Sequence, residues 1–268
     1  MDMERKNIEA ARLVLIGAIC GDIIGSCYEW RPTKDSDFKL FSVYSRFTDD
    51  TVCSIAIADA LMHSKPFAER LQYWCRKYPN AGYGGAYRKW IQSSNPLPYN
   101  SWGNGSAMRV SAVGAFARSL DEALDTAKAS AAVTHNHPEG VKGAQAVASA
   151  IFLALTGKSK EEVKEYIETT FGYNLSREYK DIQPGYRFDV SCQGSVPESL
   201  IAFLESHDYE STVRKAVAMG GDSDTMAAIA GGVAAAYYGD IPTHILEECM
   251  RRLPEEMKEV ISAFNDSL

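Results

Sequence analysis

Apolar positions along this chain recur at helical spacing, and strict alternation of apolar and polar residues is nearly absent. Ile8 to Ile24 reads as an opening helix in which Gly17, Gly21 and Gly25 return every fourth residue on one face. A glycine weakens a helix by about 1 kcal/mol relative to alanine. Three in register therefore predict that another backbone approaches that face closely. Ser-x-x-Glu capping boxes at Ser119 to Glu122, Ser159 to Glu162 and Ser195 to Glu198 announce three more helices. Pro138 starts another, which runs through Ala144 to Leu155, and the Ala- and Gly-rich stretch Met226 to Tyr238 ends naturally at Gly239. Tyr186 to Val190 allows one short extended piece, from which no sheet can be built. With no repeat, low-complexity tract or linker, the pattern predicts one all-α, multi-helix domain over residues 1–268.

Composition narrows the function classes. Hydrophobic residues make up 46% of the 268 positions and charged residues 24%, as in ordinary globular chains. A net charge of −7 argues against sequence-independent nucleic-acid binding, which needs a basic surface, but leaves room for a local phosphate pocket. The six cysteines show no CxxC spacing and read as reduced, buried thiols of a cytoplasmic protein. The apolar run Leu13 to Cys20 is too short to span a bilayer and stops at Asp22, so it predicts a core helix and no membrane partner.

Candidate chemistry lies in two acidic clusters far apart in the chain, Thr48-Asp49-Asp50-Thr51 and Gly220-Gly221-Asp222-Ser223-Asp224-Thr225. Each alone reads equally as a helix cap or a solvated turn. If they meet, four carboxylates crowd one place, where like charges ~4 Å apart repel by ~4 kcal/mol at an effective dielectric of ~20. Such a site must take up protons or cations. Its hard oxygen donors suit Mg²⁺ or Mn²⁺, and two divalent ions would balance the charge. Other metal motifs fail: an EF-hand from Asp222 would need Gly and Glu where Ala227 and Val233 stand. A DDxxD motif from Asp49 meets Cys53, and an aspartyl-phosphatase DxDx[TV] from Asp222 meets Met226.

Five segments, in order, carry a resemblance. Gly21-Asp22-Ile23-Ile24-Gly25-Ser26-Cys27-Tyr28-Glu29, Phe47-Thr48-Asp49-Asp50-Thr51, Gly103-Asn104-Gly105-Ser106-Ala107-Met108-Arg109, Thr134-His135-Asn136-His137-Pro138-Glu139 and the Gly220–Thr225 cluster together resemble the ADP-ribosylglycohydrolase family, from Gly17 to about Gly239. The resemblance implies an all-α fold with a dinuclear metal cleft, in which Thr48, Asp49, Asp50, Asp222, Asp224 and Thr225 hold two Mg²⁺ or Mn²⁺ ions. It implies hydrolysis of the bond between ADP-ribose and an acceptor: protein arginine, protein serine or a small molecule. Glu29 takes the place of a non-ligand carboxylate, either a general base or a substrate gate. Asn104, Gly105 and Ser106 would offer amides and short polar side chains to a diphosphate, with His135 as a substrate contact.

The chain departs from some family members in having Asn100 and Ser101 where they place an acid before the glycine loop, so the leaving-group donor is open. Arg109, one turn inside the expected helix, reads as a phosphate partner or a loop brace, and His137 as a helix cap. Tyr83, Tyr87 and Trp90 border the cleft or form a plain helix face, and Cys192 to Ser195 offers a weaker lining segment. Two rivals stand beside the hydrolase: a non-catalytic ADP-ribose-binding or structural protein, and a phosphohydrolase of the diphosphate.

Overall fold

The computed structural model describes residues 6–268, which fold as α1 (Ile8–Gly25), α2 (Asp49–Met62), α3 (Phe67–Lys77), α4 (Gly85–Gln92), α5 (Ser111–Phe116), α6 (Leu120–Ala132), α7 (Pro138–Leu155), α8 (Lys160–Phe171), α9 (Tyr179–Ile182), α10 (Cys192–Leu204), α11 (Tyr209–Ala218), α12 (Ser223–Tyr238), α13 (Thr243–Arg252) and α14 (Glu255–Ser267). A 3-10 turn covers Asn104–Ser106. No strand forms among the described residues; the extended piece around Val190 gives only an isolated bridge between Gly103 and Ser191.

α1 and α12 are apolar on nearly every side, and a helix of that kind belongs in the middle of a fold. The two run antiparallel along the predicted glycine face. A Cβ added at Gly17 would lie 2.5 Å from Ala235 Cβ; one at Gly21 would sit 2.8 Å from Ala228 N and overlap Ala227 O; one at Gly25 would reach 2.6 Å from Asp224 Cα. The facing Gly231 approaches Gly17 in return, and the Tyr209 hydroxyl donates to Gly17 O at 2.6 Å. α5, α7, α10 and α11 pack around this pair, while α2 rests on α3 and α14. One large apolar core results, with a small separate cluster of Ala117, Ala123 and Phe152 at its side.

The caps show where sequence pattern sufficed. Ser159 and Glu162 exchange both bonds of a capping box, whereas Ser119 accepts from Glu122 N and the glutamate returns its bond to Arg118 N. The third box is a correction: Ser195 lies inside α10, and Ser191 is the cap, accepting from Gly194 N at 3.0 Å. Two competing bonds explain the shift. Cys192 N donates to Trp102 O, which anchors the helix start four residues earlier, and Glu198 turns away to pair with Arg177 at 2.7 Å. His137 caps α7 through Nδ1, and Gly239 ends α12 in the left-handed region.

Candidate metal centre and substrate cleft

Both acidic clusters open helices, and the α1–α12 seam brings the helix starts together. Thr48 is the N-cap of α2 and Asp222 that of α12. Thr225 Oγ1 lies 3.3 Å from Asp50 Oδ2, and Thr48 Oγ1 lies 3.4 Å from the same oxygen, so this carboxylate joins the two half-sites. Asn104 Nδ2 donates to Asp222 Oδ2 at 2.8 Å, tying the glycine loop to the second cluster. Asp49 points toward Gly82, where φ is positive and a Cβ would stand 2.9 Å from Asp49 Oδ1.

Sequence reasoning missed one carboxylate. Asp22, fully buried on α1, accepts from the backbone N–H groups of Thr48 and Thr51 at 2.9 and 3.1 Å and from both threonine hydroxyls. It thereby shapes the turn that presents Asp49 and Asp50. It also has an oxygen within 4.8 Å of oxygens of Asp50 and Asp224, a second triad being Glu29, Asp222 and Asp224. The available signal was an acid inside an otherwise apolar helix, where an unpaired charge is costly.

The donor chemistry fits a hard divalent cation. Asp22, Asp50, Asp222 and Asp224 are buried, and none of the cluster's carboxylates is ion-paired with a lysine or arginine among the described residues. Asp50 Oδ1 is buried with no hydrogen-bond partner at all. Burial, followed by the charges of Asp22, Asp49 and Asp222, pushes the Asp50 carboxyl well above the usual range; burial, then Asp222 and Asp50, does the same to Asp224. An oxygen-only site that is short of positive charge and has an orphaned acceptor at its centre is one that a cation completes.

Above this cluster opens a cleft of ≈ 480 Å³. Glu29 lines it, half-buried, and burial together with the Asp222 charge pushes its carboxyl up to about 7. The structure thus sets Glu29 within ligand reach of the second half-site instead of apart from it. Asn104, Gly105 and His135 also line the cleft. Ser106 does not: its hydroxyl turns inward to Gly140 O at 2.6 Å. Its short polar side chain is therefore withdrawn from the role expected of it.

His135 is buried, and burial with the Arg109 charge holds its imidazole well below its usual pKa, hence neutral. Arg109 Nη2 donates to Thr134 Oγ1 at 2.9 Å, and that hydroxyl lies 2.7 Å from His135 Nδ1. With Nδ1 engaged by this hydroxyl, Nε2 is the ring nitrogen left to the cleft, where it faces Gly105. Arg109 itself stands in the turn before α5, outside any helix, and braces the loop by donating to Ser130 O. Ser195 supports from behind, accepting from Asn104 Nδ2 at 3.2 Å. Of the aromatic trio only Tyr87 lines the cleft. His63 lies beside the buried Asp59, and His207 and His244 lie beside Asp208 and Glu210.

At the mouth, Trp30 stacks on Phe188 at 5.6 Å between ring centroids; it is 75% exposed, which marks it as rim and not core. Nothing in the local pattern signals this pair, because the two residues sit on irregular segments 158 positions apart and meet only in the fold.

Comparison with known proteins points to one family. The chain is 26% identical to a human protein, ADP-ribosylhydrolase ARH3, over 91% of this chain and 90% of that one. It is 27% identical to the ADP-ribosylarginine hydrolase Tri1 of Pseudomonas putida, over 87% and 71% of the two chains. It is 24% identical to the ADP-ribosyl-[dinitrogen reductase] glycohydrolase of Rhodospirillum rubrum, over 92% of each. A solved structure described as an ADP-ribosylglycohydrolase-related protein complex superposes with a TM-score of 0.72 at 25% identity, covering 97% of this chain and 99% of that one. The ADP-ribosylglycohydrolase family model matches residues 3–268, and the chain belongs to that family of glycohydrolases.

Proposed function

We propose that this protein hydrolyses the glycosidic bond between ADP-ribose and an acceptor with the help of two divalent cations, Mg²⁺ or Mn²⁺. Thr48, Asp49, Asp50, Asp222, Asp224 and Thr225 would hold them, with Asp22 fixing the first half-site. When bound, such ions supply Lewis-acid polarisation and a template for the ribose hydroxyls. The observation that carries the reading is the buried, partnerless Asp50 Oδ1 at the floor of a cleft whose wall is the glycine loop.

The chain's own groups account for the remaining work. The backbone amide of Gly105 and the Nε2 side of His135 face the diphosphate, while the Asn104 amide, held by Val190 O at 2.7 Å, fixes the loop that presents them. Glu29, ionised, takes a proton from the attacking water. Two aromatic rings at the mouth narrow access for bulk water.

Incubation with ADP-ribosylated arginine peptide, ADP-ribosylated serine peptide and a small ADP-ribosyl compound, with products identified by mass, tests this directly. Intact ADP-ribose from at least one of them is expected. Release of AMP would mark a phosphohydrolase, and tight ADP-ribose binding with no release would mark a reader.

A further inference from the structure

All six cysteines are free thiols, and two of them meet beside the first acidic turn. Cys53 Sγ on α2 lies 3.8 Å from Cys75 Sγ on α3, and the Tyr87 hydroxyl on α4 touches both, at 3.5 and 3.6 Å. Both thiols are fully buried, but Tyr87 lines the cleft, so the pair stands one side chain behind the cleft wall. Cys53 follows Asp49 and Asp50 by a single helical turn. The two sulfurs are already in van der Waals contact across different helices, and none of the proposed chemistry uses them.

We propose that Cys53 and Cys75 form a reversible disulfide under peroxide, and that closing this bond disables the first acidic half-site; the second part rests on the metal reading above. Burial raises both thiols, but at Cys75 hydrogen bonds from Cys53, Tyr87 and Tyr83 and the charge of Arg109 outweigh it and lower the pKa, while Cys53 stays raised. Cys75 is therefore the attacking thiolate. It displaces one oxygen of hydrogen peroxide: an S–O bond forms, the O–O bond breaks, and hydroxide leaves to be protonated to water. Cys53 then attacks the sulfenic sulfur, an S–S bond forms, the S–O bond breaks, and a second water leaves. Two thiols and one peroxide give one disulfide and two waters, sulfur being oxidised and peroxide reduced.

A disulfide holds its sulfurs about 2.05 Å apart. Closing from 3.8 Å pulls one turn of α2 toward α3, strips Tyr87 of both thiol contacts and shifts Asp49 and Asp50 against Asp222 and Asp224. Loss of supporting contacts around metal ligands typically weakens metal affinity by about 10- to 100-fold, which is the change expected here.

The test uses the full chain, exposed to hydrogen peroxide in metal-free buffer, quenched by alkylation, mapped by peptide mass and titrated with Mn²⁺ by calorimetry. The expected result is a Cys53–Cys75 cross-link with loss of two hydrogens, a fall in Mn²⁺ affinity, and recovery of both with dithiothreitol. Cys53→Ser and Cys75→Ala should each keep their Mn²⁺ affinity through the same treatment. Reversal by dithiothreitol on the unsubstituted chain decides the matter even if a variant fails to fold. Oxidation that yields sulfinates, or a Cys20–Cys249 bond, with no Cys53–Cys75 cross-link overturns the proposal. So does the cross-link with Mn²⁺ affinity unchanged. A reduced chain that binds no Mn²⁺ would instead refute the metal reading, and the cross-link map alone then decides the thiol site.

Discussion

Replacing Asp50 by Asn should make the metal-free protein more stable while abolishing its response to metal, two effects of opposite sign from one atom. In the metal-free chain Asp50 Oδ1 is buried without a partner and faces the carboxylates of Asp22, Asp49 and Asp222. An amide of the same shape carries no charge, and its N–H₂ can donate to a neighbouring carboxylate. Relief of an unsatisfied buried polar atom is worth about 1–3 kcal/mol. At about 2–4 °C per kcal/mol for a chain near this size, the metal-free Tm should rise by roughly 2–12 °C. The parent, by contrast, should gain about 2.7 kcal/mol from a metal at 100 times its Kd. Differential scanning calorimetry in EDTA and again with excess Mg²⁺ or Mn²⁺ reads both quantities. A variant less stable than the parent in EDTA that still responds to metal would make Asp50 an ordinary capping residue, and the reasoning would fail.

Three further outcomes follow from the same geometry. Burial raises Asp50 and Asp224, and Glu29 to about 7 from an ordinary 4.5; raised acids stabilise the fold at low pH and lose that contribution as pH climbs through the folded value. The metal-free Tm should therefore fall between roughly pH 4.5 and 7 while the metal-induced rise grows, because binding must expel protons; a metal-free Tm that climbs over that window contradicts this. Glu29→Gln should slow single-turnover ADP-ribose release at saturating metal by at least about 100-fold, and unchanged turnover would remove Glu29 from the chemistry. Gly21→Ala should cost about 3 kcal/mol, since its methyl group overlaps the Ala227 carbonyl of a buried helix; a loss under about 1 kcal/mol would mean that the seam can open.

Much of this architecture is written in local pattern. Gly17, Gly21 and Gly25 foretold a close backbone partner, although nothing in their spacing said that it would be α12. The helix class, the α7 boundaries and the end of α12 at Gly239 were legible because caps act over short range, whereas the meeting of the two acidic clusters was implied only by the family resemblance. What escaped depended on the fold. Ser195 lost its capping role to Ser191 because a backbone bond from Cys192 to Trp102 fixes the helix start. Ser106 faces inward because Gly140 offers its carbonyl, and Asp22 becomes part of the site only where Thr48 and Thr51 turn four donors onto it.

The antiparallel seam between α1 and α12 has a consequence for how such a protein can diverge. Gly25 ends one helix against Ser223 and Asp224 at the start of the other, so the placement of the second half-site is gauged by main chain touching main chain. The short Ser223 side chain seals that contact, its hydroxyl donating to Gly25 O at 3.1 Å. Drift in sequence, which leaves this chain about a quarter identical to the relatives named above, can therefore rebuild the rim around Trp30 and Phe188 without disturbing the ruler beneath it. Exchange of those rim segments for foreign ones should re-aim the enzyme toward new acceptors at constant metal affinity.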